Sequence, residues 1–463
     1  MRQAELIFIP SPGIGHLVST LEFAKRLIDR DDRLLITILT MKFPFIPLAD
    51  AFTRSVTASQ PRIQLIDLPQ VDPPPSELWS SPENYLSSFI ESNIPNVKDT
   101  ITKIVSSKST SDSAEVAALV LDFFCVSMID VGRELGLHAY LFLTSNAGFL
   151  GLMLYLPIRH DQTSIEFSDS DPESVIPGFV NPVPTGVMPS AVSNKDGGYT
   201  TYIKLARRFR DAEGIIVNTF TELEPYALDS FFNGQTPPVY AVGPVLDLIG
   251  QPHPGLDQAQ RDNIMKWLDD QPPSSVVFLC FGSMGSFGTT QVKEIALGLE
   301  HSGHRFLWCL RESPSNDTMA EGFLERIKGK GMICGGWAPQ VEVVAHKATG
   351  GFVSHCGWNS ILESLWHGIP IVTWPIYAEQ QLNAFRMVKE LGLAVEMRLD
   401  YRNGDLVMAD EIERAIRRLM ECDNEVRKKV KEMGEMARKA VMEGGSAFIS
   451  VGQLIEDMMG SSS

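Results

Sequence analysis

Short apolar runs that do not alternate with polar residues, each followed by a stretch of helical periodicity, recur along the whole chain. Leu6 to Ile9, Leu34 to Leu39, Ile63 to Leu68, Ala117 to Leu121 and Tyr140 to Leu143 read as strands. The helix after the first carries Leu17, Leu21, Ala24, Leu27 and Ile28 on one face, and further helical stretches run to about Gly136 and Ile158. A continuously apolar strand is buried on both faces, and strand alternating with helix builds a parallel sheet covered on both sides. The pattern restarts after a Pro- and Gly-rich stretch, with strands at Val276 to Phe281, Arg305 to Leu310, Gly351 to Ser354 and Pro370 to Trp374. The chain is therefore expected to be α/β, with an N-terminal domain over 1–243, a linker over 244–255 and a C-terminal domain over 256–446. Two such halves leave a cleft. Ligands of parallel sheets sit beyond the carboxyl ends of the strands, so the chemistry is expected on strand-to-helix loops.

Charge excludes one class of function. Lys and Arg total 40 against 57 Asp and Glu, a net charge of −17. Nucleic-acid binding needs basic surface to neutralise phosphates. A single anionic ligand is still compatible, because a helix N-terminus holds a phosphate without net positive charge. The six cysteines, Cys125, Cys280, Cys309, Cys334, Cys356 and Cys422, include no CxxC pair, and several lie in apolar runs. They read as reduced, buried thiols, and His355-Cys356 lacks further ligands at metal spacing, so no metal site is expected. The N-terminus lacks the segments of a signal peptide, and no run approaches the roughly 18 apolar residues of a membrane span. With no coiled-coil seam either, the expectation is a soluble, cytoplasmic monomer.

Three regions carry candidate chemistry. Pro10-Ser11-Pro12-Gly13-Ile14-Gly15-His16 links the first strand to its helix. Its glycines permit a tight turn, and a helix start biases His16 toward the neutral form that accepts a proton. A dinucleotide fingerprint G-x-G-x-x-G fails because Val18 stands at the third glycine position, which counts against an NAD-linked oxidoreductase. Asp122 ends a buried strand on the same sheet edge. There it is able to fix the tautomer of His16 and stabilise its imidazolium, although helix capping alone also accounts for it. The third region opens at Trp337-Ala338-Pro339-Gln340. It continues through Gly350-Gly351-Phe352-Val353-Ser354-His355-Cys356-Gly357-Trp358-Asn359-Ser360 and Glu363, and closes at Glu379-Gln380. A strand, a glycine turn and a helix start in that order form a phosphate cradle of backbone N–H groups and helix dipole. Trp337 offers a face for a nucleobase and Glu363 an acceptor for ribose hydroxyls, with core packing the alternative for any one tryptophan. The glycine loop Phe281-Gly282-Ser283-Met284-Gly285 offers a second set of donors, or simply a turn.

The 44 residues from Trp337 to Gln380 resemble the signature box of plant secondary-product UDP-glycosyltransferases, with its WAPQ start, HCGWNS centre and acidic-Gln end. The similarity extends over essentially the whole chain. It implies the GT-B architecture, two facing Rossmann-like domains, with a C-terminal helix over 447–459 packing back on the N-terminal domain. It implies inverting transfer of glucose from UDP-glucose to a hydroxyl of a flavonoid, another phenolic or a terpenoid, with no metal and no cofactor. His16 resembles the catalytic base and Asp122 its support. Trp337 and Ala338 resemble the uracil contacts, and Gln340 and Glu363 the ribose contacts. Ser283, His355, Asn359 and Ser360 resemble the diphosphate ligands, and Trp358, Glu379 and Gln380 the hexose contacts. The acceptor site is expected mainly in the N-terminal half, at Ile14, Phe124, Asn146, Phe149 and Met188, with Met284 and Glu379 reaching across. A UDP-sugar-binding protein without catalysis is the remaining alternative.

Overall fold

A computed structural model describes residues 3–43, 60–108, 114–250, 256–311, 319, 321–401 and 404–460. They form two compact units. The described residues of the first lie within 1–185, 190–246 and 439–463, and those of the second within 186–189 and 247–438. Of the expected linker, residues 244–246 belong to the first unit and 247–250 to the second, while 251–255 lie outside the described residues. The return to the first unit comes at Lys439 rather than at 447.

The first unit contains seven parallel strands: β1 (Ala4–Ile9), β2 (Leu34–Thr40), β3 (Ile63–Asp67), β4 (Glu115–Asp122), β5 (His138–Leu143), β6 (Gly214–Val217) and β7 (Val239–Ala241), in the order β3-β2-β1-β4-β5-β6-β7. The second contains β8 (Val276–Cys280), β9 (Arg305–Leu310), β10 (Gly331–Gly335), β11 (Thr349–Ser354), β12 (Ile371–Thr373) and β13 (Ala394–Val395), in the order β10-β9-β8-β11-β12-β13, again all parallel. In each sheet the strand order reverses once, between β1 and β4 and between β8 and β11. The loops that leave these pairs diverge, and a parallel sheet opens a crevice there.

The sequence dictates this layering. All six residues of β1 are buried, as continuous apolar strands require. The helix Ile14–Arg30 lays Leu17, Leu21, Phe23, Ala24, Leu27 and Ile28 on the sheet. The C-terminal helix Ser446–Gly460 buries Ala447, Val451, Leu454, Ile455 and Met458, one stripe at helical spacing, and the last four join the core of the first unit. Polar contacts fix its register: Tyr240 Oη donates to Asp457 Oδ2 at 2.6 Å, Ser446 Oγ donates to Glu222 Oε2 at 2.7 Å, and the Arg30 guanidinium lies 3.8 Å over the Phe448 ring. Arg26 of the helix Ile14–Arg30 donates to the carbonyls of Val242 and Pro244 at 2.5 and 2.6 Å, tying that helix to the outgoing chain. Among the described residues no helix is long and apolar enough to cross a membrane.

Leu454 has no exposed surface. Leu454→Ala is expected to cost the first unit about 2–5 kcal/mol through lost burial and the cavity left behind. A denaturant titration followed by circular dichroism, showing an earlier first transition, checks it; an unchanged curve would mean that the helix does not brace this core.

Candidate functional site

In the first unit the site is built where the strand order reverses. Gly13 N-caps the helix Ile14–Arg30, which puts His16 in its first turn. Asp122 is the last residue of β4, the strand next to β1. His16 Nδ1 lies 2.7 Å from Asp122 Oδ2, with the imidazole 28% exposed and the carboxylate 1% exposed. The other carboxylate oxygen accepts the Phe124 N–H at 3.1 Å and so caps the short helix Phe123–Met128. Asp122 therefore bonds the imidazole with one oxygen and caps the short helix with the other. A neutral imidazole that donates from Nδ1 to a buried carboxylate carries its lone pair on Nε2, the arrangement a general base requires. Thr144, one residue beyond β5, brings its Oγ1 to 3.0 Å from the same Nδ1. Sequence reasoning did not single out Thr144, although it follows a strand end on the edge that drew attention to Asp122.

The expected acceptor residues of this unit differ in placement. Ile14 opens the His16 helix and is half-buried. Phe124 is 8% exposed, with its ring centroid 6.1 Å from that of His16. Asn146 is buried as the N-cap of the helix Ala147–Thr163, where its Oδ1 accepts the Phe149 N–H at 2.8 Å. Phe149 is buried against Phe123 and Tyr202, with ring centroids 5.6 and 6.3 Å away. Met188, expected with the N-terminal half, groups with the second unit, where its carbonyl accepts from Gln381 Nε2. Met284 is 69% exposed on the loop after β8.

The second unit repeats the arrangement with different chemistry. The loops after β8 and β11 carry Ser283 and His355. Gly282 has φ 70°, and a Cβ on it would sit 2.6 Å from His355 Nε2; a Cβ on Gly357 would sit 2.5 Å from the same atom. Only glycine lets both backbones close on the ring. Burial pushes His355 down to about 4, against an opposing hydrogen bond with the Cys280 backbone, so the imidazole is neutral at pH 7. Its Nδ1 has no hydrogen-bond partner among the described residues.

Beyond the turn, Gly357 N-caps the helix Trp358–His367, whose first turn holds Asn359 and Ser360. Trp358 is 2% exposed. Gln340 Nε2 donates to Ser360 Oγ and to Glu363 Oε2, each at 2.8 Å, joining three of the expected donor residues. Burial pushes the Glu363 carboxyl up to about 7, opposed by the Gln340 hydrogen bond and helped by the charge of Asp247. Trp337 and Ala338 lie half-buried just past β10, the Trp337 carbonyl accepting from Gln260 Nε2 at 3.1 Å and the Ala338 carbonyl from the Gln340 N–H at 2.8 Å. Gln380 Oε1 accepts the Ile376 and Tyr377 N–H groups at 3.0 Å each, while Glu379, half-buried, caps the helix Gln380–Phe385. Burial raises the Tyr377 hydroxyl, against hydrogen bonds with Gln380 and Ser283, which places Ser283 beside the Gln380 loop. Tyr377 lies inside the signature box, yet its residue type alone assigned it no role. Among the described residues no group of three or more His, Cys, Asp or Glu side chains is placed to hold a metal ion.

Comparison with known proteins finds relatives over the whole chain. The family model described as UDP-glucoronosyl and UDP-glucosyl transferase matches residues 200–434. UDP-glycosyltransferase 71K2 of Pyrus communis is 62% identical, covering 100% of this chain and 99% of its own. Flavonol 3-O-glucosyltransferase UGT71C4 of Arabidopsis thaliana is 54% identical, over 99% and 98%. The solved structure of Medicago truncatula UGT71G1 complexed with UDP-glucose superposes with a TM-score of 0.94 at 60% identity, over 99% of this chain and 98% of that one. The pairing of two parallel α/β units is thus the GT-B fold of these enzymes.

The raised Glu363 carboxyl has a consequence for stability. The folded protein keeps a proton that the unfolded chain has released between about 4.5 and 7. Its contribution is therefore complete below that window and lost as pH rises through it. Glu363→Gln cannot titrate. Its stability relative to the parent is expected to climb between pH 4.5 and 7, which paired denaturation curves at both ends will read; a constant difference would place the ionised carboxylate in a well-solvated setting.

Proposed function

The chain belongs to the plant family-1 UDP-dependent glycosyltransferases, and from that premise we propose that it transfers glucose from UDP-glucose to a hydroxyl of a small apolar acceptor, a flavonoid or other phenolic, or a terpenoid, giving a β-O-glucoside. The observation that carries this reading is the 2.7 Å bond between His16 Nδ1 and the buried Asp122 carboxylate. The Arabidopsis relative named for flavonol 3-O-glucosylation supports a flavonoid acceptor, and the UDP-glucose bound by the Medicago structure supports glucose as the sugar.

In this mechanism His16 Nε2 takes the proton of the acceptor hydroxyl while Asp122 stabilises the imidazolium through Nδ1. The acceptor oxygen forms a bond to the anomeric carbon on the face opposite UDP. The bond from that carbon to the diphosphate oxygen breaks, and its electron pair leaves with UDP. Inversion of an α-linked donor yields the β product. Charge that builds on the diphosphate is stabilised by Ser283, His355, Asn359, Ser360 and the start of the helix Trp358–His367. Gln340 and Glu363 hold the ribose, Trp337 and Ala338 the uracil, and Trp358, Glu379 and Gln380 the hexose. A phenol has a pKa of about 10, so a neutral imidazole can assist a phenolic acceptor without a metal ion, and the reading includes no cofactor besides the UDP-sugar. The enzyme acts as a cytoplasmic monomer.

His16→Ala is expected to leave UDP affinity unchanged and lower turnover about 10²–10⁴-fold, the usual contribution of a general base. Calorimetry with UDP and a mass-spectrometric assay with a flavonol acceptor separate the two; near-parental turnover would remove His16 from the base role. In the same assay EDTA is expected to leave the rate unchanged, and the anomeric coupling of the product, read by NMR, to be that of a β-glucoside. An α-glucoside would rule out inversion.

A further inference from the structure

At the centre of the turn between β11 and the helix Trp358–His367, one residue adopts a backbone conformation that its own side chain disfavours. Cys356 has φ 63°, in the left-handed region where a Cβ crowds the following carbonyl. Such a conformation persists where its surroundings over-determine it. Two side chains do so. Ser354 Oγ accepts the Cys356 N–H at 3.1 Å, and Asn383 Nδ2 donates to the Cys356 carbonyl at 3.0 Å. Asn383 comes from the helix Gln380–Phe385 and has no exposed surface.

The carbonyl that Asn383 holds shares a planar peptide with the Gly357 N–H, so fixing one fixes the other in the opposite direction. Gly357 is the N-cap of the helix Trp358–His367. We propose that Asn383 is a positioning residue for the donor: by gripping the Cys356 carbonyl it holds the left-handed turn, and so aims the Gly357 N–H and the first N–H groups of that helix at the diphosphate of the UDP-sugar. The inference rests on the reading of residues 355–360 as the diphosphate site. Asn383 itself touches no reacting atom in this account; it acts through Cys356, 27 residues away in sequence.

Glycine separates a positioning role from a packing role, because it takes positive φ without a Cβ penalty. Asn383→Ala is expected to weaken UDP binding about tenfold by calorimetry, the size of effect that loss of one buried hydrogen bond produces. Acceptor KM should stay near the parent value. In a Cys356→Gly background the same substitution should cost much less, whereas in a Cys356→Ala background, which keeps the Cβ, it should cost as much as in the parent. Equal losses in all three backgrounds, or a lowered Tm with unchanged UDP affinity, would overturn the proposal and leave the donor site where it is. Failure of the parent itself to bind UDP would instead overturn the reading beneath it. If Asn383→Ala does not fold, Asn383→Ser, whose hydroxyl is too short to reach the same carbonyl, carries the same comparison.

Discussion

A parallel strand can meet its neighbour only after the chain has crossed back over the sheet, so every strand in such a sheet releases its carboxyl end at one edge. That constraint organises both units of this protein. It gathers residues from distant parts of the sequence onto a single rim, and the reversal of strand order leaves a gap in that rim between β1 and β4 and another between β8 and β11. Side chains with chemistry to perform stand at these two gaps. His16 and Asp122 occupy the first, and Ser283 and His355 the second.

The two rims are furnished in opposite ways. In the first unit a half-exposed imidazole is backed by a buried carboxylate, which suits proton transfer. In the second, burial keeps His355 uncharged and raises the Glu363 carboxyl, while glycines bring backbone close around the histidine ring. Under the proposed function, a diphosphate met by neutral donors and helix N–H groups would require no buried fixed cations, whose desolvation is costly. Such a site would also be compatible with a net charge of −17.

Much of this was legible in the amino-acid order because strand ends and glycine turns leave local marks. The α/β alternation, the histidine on the first loop and the cluster from Trp337 to Gln380 all lie within short windows. Other features leave no such mark. β6, β7 and β13 have four, three and two residues and, unlike the equally short β12, lie outside the motif-rich stretch from Trp337 to Gln380. β10, with its sequence GMICG, has glycine at both ends and only three apolar residues between them. Thr144 and Asn383 are ordinary polar residues until folding brings them to partners 128 and 27 positions away. Met188 is encoded among residues of the first unit, but it groups with the second, where its carbonyl accepts from Gln381.

The helix Ser446–Gly460 completes a core whose remaining strands are all encoded before residue 242. During synthesis the core under the His16 helix must wait, with the seat of Val451, Leu454, Ile455 and Met458 unfilled, while the second unit is translated. The order of assembly is thereby inverted: the half made first is finished last, and its maturation is gated by the emergence of the other.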